Sequence, residues 1–303
     1  MLHRELWLRV LPLLLLTVVA MSVVVAVQTF GFDYTRPDGD PWNYLAAGER
    51  LNAGNPLYAL SPGDRPVNIV PPYWTVPLLA PPPIAVFWRP LALLGEPSMW
   101  LWGLAGLAAV VGSAVFLGRR GLAGIALLAV LALPLALTAL SGNASSLMVP
   151  MLIGAWYFRD RPWVVGTLVA IAGAVKLTPL VLVVWMIATG RWRALAATIV
   201  VGAAIFIVSV LGAGPGAYAD WWQSALTAAP SPNSLATLTG LPTTVLAVLL
   251  TVPVLLAWRR DRWSFGAAIV AATLATPAFY FSALALLAAL PVWRDREAID
   301  GPG

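Results

Sequence analysis

The sequence predicts an all-α polytopic membrane protein, and three observations lead to this fold class. Of the 303 residues, 60% are hydrophobic and only 10% are charged, whereas a soluble domain carries about 25% charged residues. Apolar runs long enough to cross a bilayer recur along the chain, and arginines gather between them. The chain also has no cysteine and a single histidine, which excludes disulfides, thiolate zinc sites, cysteine nucleophiles and histidine-rich metal centres.

Six apolar runs are long enough to count as full membrane spans. A spanning helix needs roughly 20 apolar residues, because the hydrocarbon core is about 30 Å thick and a helix rises about 1.5 Å per residue. The predicted spans are 10–30, 97–117, 121–141, 144–158, 194–213 and 241–257. We interpret the first as an uncleaved signal anchor, because its apolar run is too long for a signal peptide.

Three further apolar stretches are interrupted or short. The stretch 163–190 is broken at Lys176-Leu177-Thr178-Pro179, 263–292 is broken at Thr276-Pro277, and 76–94 is rich in proline. Interrupted backbone at membrane depth persists only where it lines protein or water. Each of the two broken stretches is therefore either two thin helices or a pair that dips into a cavity. We expect a hydrophilic cavity that opens outward, with 176–179 and 276–277 at its floor, and we expect 76–94 to dip in as well.

The basic residues predict the orientation in the membrane. Thirteen of the 18 lysines and arginines form six clusters that share one side if the spans alternate: Arg4, Arg9, Arg119, Arg120, Arg159, Arg161, Arg191, Arg193, Arg259, Arg260, Arg262, Arg294 and Arg296. The positive-inside rule places that side, with both termini, in the cytoplasm. We expect one integral-membrane domain over 1–303 in the plasma membrane, with loops 31–75 and 213–240 outside. The net charge of +5 then reflects cytoplasmic arginines, and no nucleic acid partner is expected.

The outer loop 31–75 contains the first candidate for chemistry. Asp40-Pro41 is a good helix start, because aspartate caps free amides and proline fits the first helical position, so a juxtamembrane helix to about residue 53 is expected. Asp40 is then either an N-cap alone or a general base placed just outside the membrane. Asp33 and Asp38 are alternative bases on chemistry alone.

Two further polar residues stand out against their apolar surroundings. Lys176 is the only lysine, and an ammonium at mid-bilayer costs about 2.5–3.5 kcal/mol. It either faces a cavity or an anionic partner, or bonds to carbonyls freed by Pro179. Asn143 lies in a predicted tight turn on the outer side, where it either caps a helix or contributes to a site.

Several of these residues together resemble glycosyltransferase family 87. Asp40 followed by Tyr44, Leu51, Gly54 and Tyr58 is similar to the family's aspartate–tyrosine–glycine–tyrosine stretch. Further matching pieces follow in the family's order across residues 10–290: Pro81-Pro82-Pro83 with Pro90–Leu94, Gly142-Asn143, Ala172–Pro179, and Gly190–Arg193.

The resemblance implies a GT-C type bundle of about 9–11 transmembrane or re-entrant helices with an outward-facing cavity. It implies a membrane hexosyltransferase, mannosyltransferase-like, that uses a polyprenyl-phosphate sugar donor, a lipid or glycan acceptor and an inverting mechanism. Asp40 matches the family's catalytic base. The expected substrate-binding residues are Lys176, Asn143, Tyr44, Arg36, Asn233 and Tyr280. Arg36 or Arg89 would help Lys176 to neutralise the leaving phosphate, and no metal or other cofactor is expected, because phosphate departs readily.

One departure from the family pattern leaves other functions open. Mannosyltransferases of the family carry histidines in a C-terminal stretch, where this chain reads Thr276-Pro277-Ala278-Phe279-Tyr280-Phe281-Ser282. Tyr280 or Ser282 could supply a hydrogen bond there but no equivalent base. The alternatives are a transporter or flippase of lipid-linked sugars, since broken helices around a midplane lysine are typical of transporters, and a catalytically inactive member that acts in envelope assembly.

Overall fold

The computed structural model describes residues 2–37, 39–67, 69, 76–276 and 281–292, with the backbone alone for 2–9 and 30. These residues form helices and connecting turns and contain no β-strand. The α-helices are α1 (Leu2–Phe30), α2 (Asp40–Asn52), α3 (Pro82–Ala92), α4 (Glu96–Gly118), α5 (Leu122–Leu140), α6 (Ser145–Tyr157), α7 (Pro162–Val175), α8 (Val181–Ala188), α9 (Trp192–Ala213), α10 (Gly216–Thr227), α11 (Leu235–Thr239), α12 (Thr243–Leu256) and α13 (Asp261–Leu274). Two 3₁₀ helices cover Thr178–Leu180 and Phe281–Ala289.

Four of these helices are long and apolar enough to cross a membrane, which confirms the all-α polytopic fold class. They are Val10–Thr29 within α1, together with α4, α5 and α9. The full spans predicted at 144–158 and 241–257 are wrong in length, since α6 has 13 residues and α12 has 14. A 13-residue helix rises only about 20 Å. Hydropathy does not distinguish apolar residues in helices from apolar residues in turns. The predicted span was too long because its ends belong to the turns on both sides of α6.

The predicted interruption of 163–190 is present. The helix α7 ends at Val175, Lys176 is extended, and a short 3₁₀ turn leads into α8. Pro179 accounts for the end at Val175, because proline has no backbone N–H for the carbonyl four residues before it and its ring clashes with that carbonyl. In 263–292, α13 ends at Leu274 and a nine-residue 3₁₀ helix occupies 281–289. Pro277 and Tyr280 lie outside the described residues.

Two apolar clusters hold the bundle together. The larger lies between α5, α6, α7, α8, α13 and the 3₁₀ helix 281–289. At its centre the rings of Trp156 and Trp185 pack against Phe265 at centroid distances of 5.1 and 5.0 Å. The smaller cluster packs α2 against α3 and α4, so it fixes the helix that carries Asp40.

The described arginine clusters gather at one end of the bundle. Arg191 donates to both carboxylate oxygens of Asp261 and to the carbonyl of Arg159. Asp261 lies inside the cluster 259–262, and Arg120 stacks over Tyr157 at the end of α6. The clusters 119–120, 159–161, 191–193 and 259–262 therefore share one face, as the alternation of spans predicts.

The opposite end of the bundle holds the turn that follows α5 and the break that follows α7. The helices α4 and α5, with 23 and 19 residues, run between the two ends. Near the start of α4, the indole of Trp102 donates to the carbonyl of Gly142 at 2.8 Å. The start of α2, the turn 141–144 and the break at Lys176 therefore lie together, at the end away from the arginines.

Candidate active site

The helix α2 begins at Asp40 without a side-chain cap. Gly39 is the N-cap residue, Pro41 occupies the first turn, and no side chain caps the free amides. The interpretation of Asp40 as an N-cap is therefore wrong, because its carboxylate is turned to other partners. The helix ends at Asn52, and Gly54, with φ of +75°, follows the last turn as expected.

The Asp40 carboxylate interacts with groups from three parts of the chain. It accepts a hydrogen bond from the backbone amide of Ala144, and its Oδ2 accepts one from the hydroxyl of Tyr44 at 3.4 Å. The ammonium of Lys176 attracts it electrostatically. Burial raises the pKa of Asp40, and the attraction of Lys176 and the two hydrogen bonds oppose that shift.

Aromatic packing holds Tyr44 beside Asp40. Its ring lies 5.9 Å from that of Trp88 and 5.6 Å from that of Trp102. The side chains are four residues apart on α2, so they lie on neighbouring turns of one face. Burial, followed by the charge of Asp40, raises the pKa of Tyr44. Tyr44 is thus kept as a neutral hydrogen-bond donor to the carboxylate.

The turn 141–144 presents the Ala144 amide because it packs directly on α2. Gly142 has φ of +64°, and a Cβ at this position would lie 2.4 Å from Cγ of Pro41. Only glycine fits such a position. The Oδ1 of Asn143 accepts the amide of Ser145 at 2.9 Å. This side chain therefore bonds to the start of α6, although Ala144 is the N-cap residue of that helix.

The charge of Lys176, at the end of α7, acts on Asp40. The Lys176 backbone amide still donates to the carbonyl of Ala172 at 3.0 Å, while its φ of −153° and ψ of 131° turn the chain out of the helix. Within the described part of the chain, Nζ makes no hydrogen bond to a carbonyl that Pro179 frees. Its charge is instead attracted by the Asp40 carboxylate, 136 positions earlier in the sequence.

Comparison with known protein families gives a match over most of the chain. The sequence model of glycosyltransferase family 87 matches residues 79–298, more than half of the chain. The chain belongs to glycosyltransferase family 87. Comparisons with curated proteins and with solved structures gave no match. The matched range includes Asn143 and Lys176 but begins after α2, so Asp40 and Tyr44 lie outside it.

The structure does not bring all the predicted residues of this glycosyltransferase together. Arg36 lies in the loop before α2, where its charge acts on Asp33, and Asn233 is an exposed residue in the turn before α11. Tyr280 lies outside the described residues. Arg89 donates to Oδ1 of Asn52 and to the carbonyl of Gly212, so it joins α2, α3 and α9.

The alternative bases differ sharply from Asp40 in their surroundings. Asp33 is exposed, and its Oδ1 accepts the amide and the hydroxyl of Thr35. Those two hydrogen bonds, with a weaker contribution from Arg36, lower the pKa of Asp33, which makes it a poorer base. Asp38 lies outside the described residues.

Sequence reasoning did not identify two chemical groups near this site, the backbone amide of Ala144 and the side chain of Arg50. The Ala144 amide had no signal of its own, although Gly142-Asn143 marked the turn that presents it. Arg50 in α2 also escaped notice, because an arginine in a polar outer loop is ordinary. In the structure it is 1% exposed.

Proposed function

We propose that this membrane glycosyltransferase moves a hexose from a polyprenyl-phosphate donor to a lipid or glycan acceptor at the outer membrane face. The proposal rests mainly on one observation, the pairing of Asp40 with Lys176 across 136 positions of sequence. A carboxylate and an ammonium in one site can act on the nucleophile and on the leaving group of a displacement reaction. The carboxylate takes a proton from the nucleophile, and the ammonium stabilises an anionic leaving group.

The reaction is a single displacement at the anomeric carbon. The acceptor hydroxyl oxygen attacks that carbon while the bond to the phosphate oxygen breaks, and the bonding electron pair leaves with the phosphate. Asp40 accepts the hydroxyl proton. The products are an inverted glycoside and a polyprenyl phosphate, and charge is conserved because one proton moves to the carboxylate as one negative charge appears on the phosphate.

The surroundings of Asp40 suit a base near neutral pH. An ordinary aspartate has a pKa of about 3.9 and is a weak base. Burial raises the pKa of Asp40 and so brings it closer to the working pH. Tyr44 and the Ala144 amide hold the ionised carboxylate in place, since each donates to it.

Lys176 supplies the positive charge for the departing phosphate. Its side chain is partly exposed, at the break between α7 and α8. A donor with its polyprenyl chain in the bilayer would bring its phosphate to this level. Electrostatic stabilisation of developing charge is usually the largest single contribution to catalysis in a site with little water.

Transfer of radiolabelled hexose by purified protein tests this function. The substrates are a panel of polyprenyl-phosphate hexoses, with nucleotide-activated hexoses as controls and a membrane lipid extract as acceptor. We expect a labelled lipid or glycan product from at least one polyprenyl-phosphate donor, with inverted anomeric configuration, and none from the nucleotide donors. Retention of configuration, or transfer from nucleotide donors alone, would contradict the proposal.

A further inference from the structure

Arg50 is a buried cation that the proposed reaction does not use. It lies near the end of α2, the helix that begins with Asp40, and its side chain is 1% exposed. Its Nε, Nη1 and Nη2 have no hydrogen-bond partner among the described residues. An unpaired buried charge is strongly destabilising. Buried polar groups in native proteins are otherwise almost always bonded, so the three nitrogens of this guanidinium remain available to a ligand.

The two carboxylates that attract Arg50 bond to other groups. Glu49 accepts two hydrogen bonds from Arg65, each of 2.7 Å. Asp64 accepts from the Nδ2 of Asn55 and from the amide of Ser61, also at 2.7 Å each. Both acids attract Arg50 from a distance, but neither makes a hydrogen bond to it.

A second unpaired atom lies on the same side of α2. The Oδ1 of Asn43 is buried and has no hydrogen-bond donor among the described residues. Seven residues separate Asn43 from Arg50, which is nearly two full turns and a rise of about 10 Å. Asp40 is three residues before Asn43, on the adjoining turn. One side of α2 thus carries the Asp40 carboxylate, the unpaired Oδ1 of Asn43 and the unpaired guanidinium of Arg50.

We propose that Arg50 and Asn43 form a phosphate-ester binding site on α2, separate from Lys176. A phosphate oxyanion offers several acceptors to the three unpaired nitrogens, and guanidinium binds phosphate through paired hydrogen bonds. A hydroxyl group of the same ligand donates to the Asn43 Oδ1. The ligand is a phosphate ester of a polyol, which is either a phospholipid headgroup or a soluble sugar phosphate.

The segment that carries Asp64 is held on α2 by the Glu49–Arg65 ion pair, and the indole of Trp42 donates to the carbonyl of Pro66 at 2.7 Å. These contacts can open without unfolding α2, since none of them belongs to its backbone ladder. A ligand would reach Arg50 between this segment and the helix.

Melting temperatures of the purified full-length protein test the site. The probes are inorganic phosphate, hexose 6-phosphate and phosphatidylglycerol mixed into the detergent, each compared with chloride or phosphatidylcholine at equal ionic strength. At ligand concentrations about tenfold above the dissociation constant, we expect the melting temperature to rise by about 3 °C. The probe with the largest shift distinguishes a soluble ester from a lipid headgroup.

Variants decide whether the shift belongs to Arg50. Arg50→Met should abolish the shift and leave the ligand-free protein as stable or more stable, because it removes an unpaired buried charge. Arg50→Lys should keep part of the shift. Arg193→Met, at the exposed arginine end, and Lys176→Met should keep all of it, which separates this site from the proposed donor site. A shift that persists in Arg50→Met, a loss of stability or of folding in that variant without ligand, or no shift with any probe would each overturn the proposal.

Discussion

Asp40 has surroundings that pull its pKa in opposite directions. Burial favours the neutral acid, whereas Lys176, the Ala144 amide and Tyr44 favour the carboxylate. These partners distinguish it from Asp33, which is exposed and accepts hydrogen bonds from Thr35 in its own turn. A general base needs both features, since burial raises basicity and the partners fix its position.

Replacing Asp40 by asparagine tests the base directly. Asp40→Asn keeps the size and one carbonyl acceptor for the Ala144 amide, so the protein should fold with nearly unchanged melting temperature. Loss of a placed general base lowers rates by about 10²–10⁴, and transfer should fall at least about a hundredfold. The matched control is Asp33→Asn, which should keep most of the activity. Full transfer by Asp40→Asn would remove the proposed role.

The pH dependence of transfer tests the pairing with Lys176. The base must be ionised, so activity should fall as the pH drops through the raised pKa of Asp40. This acid limb should therefore lie above that of an ordinary aspartate. Lys176→Met removes a charge that stabilises the carboxylate, so the residual activity should have its acid limb at higher pH. Tyr44→Phe removes one hydrogen bond, the last of the causes that lower the pKa, and should give a smaller shift in the same direction. An unmoved limb in Lys176→Met would show that the two charges do not interact during catalysis.

Sequence reasoning reached some residues of the site and not others, for a physical reason. Lys176 stood out because charge is expensive within the bilayer, and Asp40 stood out because Asp40-Pro41 marks a helix start in the polar outer loop. Asn143 has a structural bond to Ser145, and the contact that matters comes from the backbone of Ala144. A backbone amide is present at nearly every position of a sequence, so only the fold can show which one is aimed at a carboxylate. Arg50 became exceptional only through its burial.

The helix α2 and the turn 141–144 act as one unit. Gly142 combines a positive φ with a contact to Pro41, and it precedes the amide that binds Asp40 by two residues. Sequence patterns located this helix well, because proline and glycine mark its two ends. They overestimated α6 and α12, because hydropathy does not show where an apolar run leaves the helix.

The stability of Gly142→Ala measures how much the packing of Gly142 on Pro41 contributes beyond the cost of its left-handed backbone. Left-handed backbone costs a residue with a Cβ about 1–2 kcal/mol, and overpacking against Pro41 adds about 1–3 kcal/mol. Gly240→Ala is the matched control, because Gly240 has φ of +69° but no neighbour within 4 Å of a Cβ. Thermal unfolding should show a larger loss for Gly142→Ala, with loss of transfer activity in the fraction that remains folded. Equal losses of stability in the two variants would show that Pro41 shifts to accommodate the added Cβ.

At the scale of the whole molecule, charge divides the bundle into two ends. The described arginine clusters are linked at one end by Arg191, Asp261 and Arg159, and the Asp40–Lys176 pair lies at the other. The alternation of spans predicted this division, because it depends only on how many times the chain crosses. The short helices do not disturb it, since α6 and α7 still connect one end to the other and back.

Cysteine labelling in cells tests which end faces outward. The natural chain has no cysteine, so a single introduced cysteine gives a signal without background. Ser61→Cys, in the outer loop, and Gln223→Cys, exposed on α10, should react with a membrane-impermeant maleimide in intact cells. Asp160→Cys lies at the arginine end, where the native side chain is 83% exposed, and should react only after permeabilisation.

The physical reason for this expectation is the positive-inside rule, which holds for short loops such as those at 119–120, 159–161, 191–193 and 259–262. A polyprenyl-phosphate donor used at the outer face requires the Asp40 end outside, so orientation and chemistry are linked. Labelling of Asp160→Cys in intact cells, with Ser61→Cys and Gln223→Cys protected, would reverse the orientation. It would move the proposed reaction to the cytoplasmic face while leaving the pairing of Asp40 with Lys176 untouched.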